Sequence, residues 1–364
     1  MELRINKFIL DEALDRISKV IDPNPVFVTL KGIWIKAEDN KITMIGSNGA
    51  ISIKHTISAS MDVEITTPGF MLVEFNIFRN IIKKLEGDIV LKSDGKVVDV
   101  ITDSDHFNIN LYDEEYPAID FDFSGEQLRI DWQDLKNLTK DVILATSNNE
   151  NNLILNCVNI STNDGKIKFL ATDRYRYAEA TKDIDSDATF NISVLAKNLK
   201  DLLAFDFEGD VILNISDKKL SFEKDGSIIE SKVVDQVYHD MSKIVPKEFT
   251  SEIIIEKREL NNLLNKASVI ISENYNKLKI HILNDTMTFM STRKEIANAE
   301  IKTQNFTYNG EELKIAINSR FLKDAISVFE GTLYIKFTKD KQRIVVVSDS
   351  NPNVIQLITP QKGF

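Results

Sequence analysis

One pattern returns three times along the 364-residue chain at a fixed interval. FRNIIKKLEGDIVLKS, LKDLLAFDFEGDVILNIS and FLKDAISVFEGTLYIKFT share a Glu-Gly pair, at Glu86-Gly87, Glu208-Gly209 and Glu330-Gly331, so successive pairs lie 122 residues apart. Apolar columns match on both sides. Before the pair they are Ile77, Leu199 and Phe321; Ile81, Leu203 and Ala325; Leu85, Phe207 and Phe329, at intervals of four. After it they are Ile89, Val211 and Leu333, then Leu91, Leu213 and Ile335, at intervals of two. A period that changes from four to two at one place is a helix running into a strand. The glycines take the helix C′ place, where a left-handed backbone costs glycine least.

An earlier helix opens each unit, in looser register. Its apolar residues are Leu14 and Ile17, then Leu135 and Leu138, then Leu260 and Leu263, with offsets of 121 and 125. Alternating runs follow it, with hairpin turns expected at Asp164-Gly165 and Asn284-Asp285. Each third therefore reads as helix, hairpins, helix, strands. A unit of about 120 residues can bury a core of its own, and it is far longer than the repeat of about 20–50 residues that builds a solenoid. The expectation is an α+β chain of three similar domains, 1–124, 125–248 and 249–364. The joints fall near Phe121–Gln127 and Val245–Glu252.

Composition bounds the chemistry. Hydrophobic residues make up 43% of the chain, an ordinary globular fraction, and the net charge is −11. That charge argues against a generally basic nucleic-acid coat while leaving any single face open. The lone Cys157 permits no internal disulfide and fits a reducing compartment. MELRINKFIL has no signal-peptide core, and no apolar run approaches the ~20 residues that span a bilayer. The reading is a soluble cytoplasmic protein. No phosphate-binding glycine motif occurs. His55, His106, His239 and His281 lack ligand spacing, so neither metal nor cofactor is expected. Asp183, Asp185 and Asp187 begin like a calcium loop, but Ala188 and Val194 stand where Gly and Glu are needed. Cys157 lies in an apolar run and reads as a buried, inert thiol.

Basic residues recur on the helices: Arg16 and Lys19, Lys136 and Lys140, and Lys266 on the first type; Arg79, Lys83 and Lys84, Lys197 and Lys200, and Arg320 and Lys323 on the second. Taken singly, each is an ordinary solvated charge. Recurring in all three units, they can share one surface for sequence-independent phosphate contact. Neither an aromatic stacking platform nor a base-reading helix accompanies them.

With these features together, the whole chain resembles the bacterial sliding clamp family, the β subunits of DNA polymerase III. The segments that carry the resemblance are LATDRYRYAEA (170–180), SKVVDQVYHDMSKIVP (231–246), IGSNGAISI (45–53) and the terminal QLITP (356–360). The resemblance implies three clamp domains, each with two helices backed by antiparallel sheets. It implies a head-to-tail homodimer closed into a six-domain ring around double-stranded DNA, without enzymatic activity or cofactor. Six near-equal arcs would explain the constant interval. The DNA-facing set would be Arg16, Lys19, Arg79, Lys83, Lys136, Lys140, Lys197, Lys200, Lys266, Arg320 and Lys323. The implied partners are the polymerase III α subunit, the clamp loader and other proteins carrying clamp-binding peptides.

Two further surfaces are implied. The dimer joint would use Phe107 and Ile109 on an edge strand, with Ile270 and Ile271 at a helix end; the alternative is that all four are plain core residues. A peptide pocket between domains 2 and 3 would use Leu155, Thr172, Arg174, Tyr175, Arg176, Tyr177, His239, Lys243, Ile244, Leu357, Ile358, Thr359 and Pro360. Here the chain departs from the family pattern. Arg174 stands where Gly is common, Tyr177 for Leu, His239 for Pro and Thr359 for Met or a similar apolar residue. Aromatic stacking on Tyr175 and Tyr177 is expected to replace some aliphatic contact. Rival readings are an accessory clamp with its own partners, a peptide-binding scaffold that does not encircle DNA, and a three-domain enzyme with dispersed catalytic residues.

Overall fold

The glycine of each Glu-Gly pair anchors the helix that opens its own repeat. In the computed structural model, which describes residues 1–148, 151–239, 241, 243–271 and 276–364, Gly87, Gly209 and Gly331 have φ of 75°, 68° and 63°. A Cβ would meet nothing within 4 Å at any of the three, so backbone angle and not space selects glycine. Their carbonyls accept from the N–H of Lys7 (3.0 Å), Trp132 (3.0 Å) and Lys257 (2.8 Å). These are the first residues of α1 (Lys7–Ile17), α3 (Trp132–Ile143) and α5 (Lys257–Ser268). The second helices are α2 (Phe75–Ile82), α4 (Ala196–Leu202) and α6 (Ser319–Ser327).

Two details of the repeat differ from expectation. The glycines lie several residues past the second helices instead of at C′. The helices are also offset from the Glu-Gly register. The first helices start 125 residues apart, so Leu10, not Leu14, corresponds to Leu135 and Leu260. The middle repeat starts its second helix one residue early relative to its glycine. The buried column is therefore Phe78, Leu199 and Leu322, while Ile77 is 54% exposed. The strand columns stand as expected: Ile89, Val211, Leu333, Leu91, Leu213 and Ile335 are all buried. Asp164-Gly165 and Asn284-Asp285 form two-residue hairpin turns with positive φ at both positions, as Asp225-Gly226 does.

Contacts divide the chain into two units: Met1–Gln133 with Lys197–Asp235, and Asp134–Ala196 with Gln236–Phe364. The first holds a five-stranded and an eight-stranded antiparallel sheet, and the second a nine-stranded and a four-stranded one. In the first unit, strand Ile51–Ser58 of the first repeat pairs with Ser227–Lys232 of the middle repeat. In the second, Arg176–Asp183 of the middle repeat pairs with Val354–Ile358 of the last. Sheets thus continue across the expected joints, and the middle repeat contributes to both units. Trp132 packs on Phe207 and Phe222 at ring separations of 5.2 and 5.1 Å in the first unit's core. Among the described residues no helix is long and apolar enough to cross a membrane.

Candidate functional site

The tight turn Thr172–Arg176 organises the site. Asp173 accepts from the backbone N–H of Tyr175 (3.0 Å) and Arg176 (3.1 Å), and Thr172 Oγ1 donates to the Arg176 carbonyl (2.6 Å). Arg174 closes the turn at φ 76°, the left-handed region that favours glycine. The Arg176 guanidinium then staples the turn to α6. Its Nε bonds Asp173 (2.9 Å), its NH1 bonds Asp324 (2.5 Å), and the group lies 4.5 Å from the Phe321 ring centre.

The sheet continues this arrangement. Arg176 and Tyr177 pair with Ile358 and Leu357. Both the backbone N–H and the hydroxyl of Thr359 donate to the Tyr175 carbonyl, at 2.9 and 2.8 Å. The turn and the C-terminal strand are thereby fixed to one another although nearly two hundred residues separate them in sequence. Beside them opens a cavity of about 940 Å³, whose walls include Tyr175, Phe321, Thr359 and Pro360. Lys277, Lys294 and Lys362 add positive charge at the same cavity. The tail beyond it is tied down: Lys277 Nζ donates to the carbonyls of Lys362 (2.7 Å) and Gly363 (3.3 Å).

A second cluster lies under the turn. Leu170, Tyr177, Val345 and Leu357 are buried together, with Tyr238, Met241, Ile244 and Val245 packed against them. The Tyr177 hydroxyl donates to Glu179. Burial pushes the Tyr238 hydroxyl above its ordinary pKa, and the Thr172 backbone and Cys157 lie within its electrostatic reach. Cys157 is itself fully buried, its thiol pushed up to about 12 by desolvation, so it stays protonated and inert.

Of the expected pocket residues, Tyr175, Thr359 and Pro360 line the cavity. Arg176 and Thr172 hold the turn, and Tyr177, Leu357 and Ile244 share the buried cluster. Leu155 and Ile358 are core residues, and His239 and Lys243 are exposed. Positions 240 and 242 of the 231–246 segment lie outside the described residues. Tyr177 does not offer the expected stacking face. Its ring is 1% exposed because the larger side chain fills the core that a leucine would leave open, whereas Tyr175 is 58% exposed and offers its face. Asn276, Lys277, Thr292, Lys294, Asn318, Gln361 and Lys362 also line the cavity, and local pattern singled out none of them.

Several of the basic helix residues are held by neighbouring groups. Arg79 and Lys83 of the second helix both reach Asp15, at 2.5 and 3.5 Å, and Arg16 pairs with Glu12 at 3.0 Å. Lys19 donates to the Ala204 carbonyl at 2.8 Å. Lys323 reaches Asn265 at 3.3 Å. Lys140, Lys197, Lys200, Lys266 and Arg320 are exposed, and Lys136 is half-buried. Phe107 and Ile109 lie on strand His106–Asn110, the outermost strand of the five-stranded sheet, with Phe107 39% and Ile109 8% exposed. Ile270 and Ile271 follow α5 and are half-buried.

Comparison with known proteins follows this geometry along the entire chain. Models of the DNA polymerase III β subunit match in order: the N-terminal domain at 1–120, the central domain at 129–240 and the C-terminal domain at 242–362. The β sliding clamp of Mycoplasmopsis pulmonis is 30% identical over 373 residues, covering 100% of both chains. That of Bacillus subtilis is 26% identical over 379 residues with the same coverage. The crystal structure of the Bacillus subtilis DNA polymerase sliding clamp superposes with a TM-score of 0.93 at 25% identity, covering 100% of both chains. The β chain from Streptococcus pneumoniae shares the fold, with a TM-score of 0.94 at 21% identity over the full length of both.

Proposed function

The chain belongs to the bacterial DNA polymerase III β subunit family, the β sliding clamps, and on that premise we propose that it is a DNA sliding clamp: two copies encircle duplex DNA and tether the replicative polymerase for processive synthesis. It acts in the cytoplasm by binding and not by catalysis. Its three clamp domains occupy 1–124, 125–248 and 249–364.

The observation that carries this reading is an unused pair of sheet edges. Two seams inside the chain are of one type: 51–58 on 227–232, and 176–183 on 354–358. The repeat supplies the strands for a third. The counterpart of 51–58 and 176–183 is Ala297–Thr303, and the counterpart of 227–232 and 354–358 is His106–Asn110. Each is the outermost strand of its own sheet. Bare edges of this kind pair readily. A single chain uses the joint twice; two chains, head to tail, use it six times and leave neither of these two edges unpaired. Phe107 and Ile109 would then lie in the joint, with Ile270 and Ile271 near it.

The cavity at Tyr175 would receive a short peptide from the polymerase α subunit, the clamp loader or other partners, its apolar side chains against Tyr175, Phe321 and Pro360. The exposed lysines and arginines of the helices would face the phosphates. Weak, sequence-independent contact of this kind holds DNA without pinning it. Negative-stain class averages of the purified protein test the architecture. A closed ring of six similar lobes is the expected image, and compact single chains without a hole would overturn the reading.

A further inference from the structure

The first domain carries a cavity that neither DNA encirclement nor docking at Tyr175 uses. It measures about 700 Å³. Trp34 and Leu72 form an apolar floor on one face of the sheet, and Phe70 on that face stands at its mouth, 68% exposed. The rim is acidic: Asp94, Asp113, Glu114 and Glu115 line it against one cation, the Met1 ammonium, which donates to the Ser93 carbonyl at 3.0 Å. Among the described residues Asp113, Glu114 and Glu115 have no ion-pair partner. Asp94 accepts from the N–H of Lys96 (2.8 Å) and Val97 (2.9 Å), which favours its charged form.

The cavity lies along an open backbone edge. Strand Gly69–Glu74 is the outermost of the eight-stranded sheet. Tyr112 N–H donates to the Leu72 carbonyl at 2.9 Å. Strand alternation turns the Phe70 N–H and C=O to that same side. An extended chain can therefore continue the pairing at Phe70.

The third domain shows what a site of this form holds. There Gln361 N–H donates to the Ala316 carbonyl at 2.7 Å, as Tyr112 does to Leu72. Ala316 and Leu72 each lie two residues before a helix N-cap, Asn318 and Glu74. Beyond Gln361 the chain ends in Phe364, whose ring lies 5.5 Å from Lys279 Nζ and 6.1 Å from the His281 ring. Lys279 pairs with Ala316 and Trp34 pairs with Leu72, so Lys279 and Trp34 are counterparts. In the third domain a basic platform receives the chain's own terminal aromatic residue. In the first, an aromatic floor with an acidic rim occupies the corresponding place.

We propose that this groove docks an extended segment of a partner protein that carries an aromatic or long aliphatic anchor flanked by lysine or arginine. The anchor enters the floor between Trp34, Phe70 and Leu72. The segment's backbone extends the sheet edge at Phe70, and its basic residues meet Asp113, Glu114 and Glu115. Charge complementarity selects this occupant over an acidic or neutral segment.

The test uses the full-length protein and a fluorescein-labelled peptide, acetyl-KVFKV-amide, followed by anisotropy. Its phenylalanine-to-alanine and lysine-to-glutamate counterparts serve as comparisons. The basic aromatic peptide is expected to bind and to change Trp34 emission. Replacing its phenylalanine, reversing its charge, or changing the protein by Asp113→Lys with Glu114→Lys should each weaken binding about tenfold or more. Phe70→Ala, at an exposed side chain, should also weaken it. Urea unfolding reports that each variant is folded, and binding of a clamp-motif peptide at the Tyr175 cavity should be unaffected. Absence of binding up to about millimolar peptide overturns the proposal. So does equal affinity for the charge-reversed variant while the clamp-motif peptide still binds. Self-association beyond a dimer that Phe70→Ala abolishes would assign the groove to a second copy of this chain and overturn it as well.

Discussion

Asp15 tempers the positive charge on the helices of the first domain. Arg79 and Lys83 both converge on it, and Arg79 holds its carboxyl below the usual range against the opposing effect of burial. Two cations expected at the phosphates are therefore partly neutralised by one carboxylate, and Arg16 is likewise held by Glu12. Asp15→Asn should free Arg79 and Lys83, so that loaded clamps diffuse about two- to threefold more slowly at low salt. Single-molecule tracking on stretched DNA checks this, and unchanged diffusion would mean that these side chains do not reach the phosphates. The two tyrosines of the turn should separate stability from binding. Tyr177 is buried and bonded to Glu179, so Tyr177→Leu should cost about 1–3 kcal/mol of stability, read by urea unfolding. Tyr175 is exposed at the cavity, so Tyr175→Ala should leave unfolding unchanged. Its effect should be to weaken a clamp-motif peptide about tenfold in a calorimetric titration.

Among the elements, strand Ile51–Ser58 carries a titratable weld in its seam with Ser227–Lys232. His55 Nδ1 lies 2.8 Å from Ser227 Oγ, and burial, followed by the charge on Arg16, lowers the His55 pKa from 6.5 to about 4. A histidine kept neutral in the fold stabilises it fully above the unfolded value of 6.5, and this is lost as pH falls toward 4. Between about pH 7 and about pH 5 the loss should be about 2 kcal/mol. Urea unfolding of the protein and of His55→Gln at both pH values checks it, because the variant should lack that part of the slope. The helix-to-strand change of period and the two hairpin turns were legible in sequence, because glycine angles and strand alternation are local properties. The exact helix register was not. The Glu-Gly interval fixes the glycine, while the loop before it lengthens by one residue in the middle repeat and carries Leu199 into the place of Phe78. The cavity was legible only in part. Tyr175, Thr359 and Pro360 belong to segments with a family signature, whereas Lys277, Lys294 and Lys362 reach the same space from a strand, a turn and the tail. No periodicity brings such residues together. Tyr177 was misplaced because an aromatic side chain in a motif reads alike whether it faces a ligand or the core.

At the scale of the whole molecule, the repeat makes three joints of one kind per chain and leaves one of them to another copy. The two internal seams are held by the chain that runs through them. On the proposed reading, His106–Asn110 takes its partner strand from a second copy. The same strand pairing therefore operates under two different effective concentrations. Within the chain the continuous polypeptide holds the partner strand at about millimolar local concentration, and between chains it is only as concentrated as the protein itself. Dilution should thus break the ring at the joint between chains and nowhere else. Sedimentation over a concentration series should show whole chains separating while each internal seam persists, and joining Phe364 of one copy to Met1 of the next by a flexible linker should suppress the separation. A lock and a latch built to one pattern differ here in whether they are tethered, and that difference chooses where the ring can open.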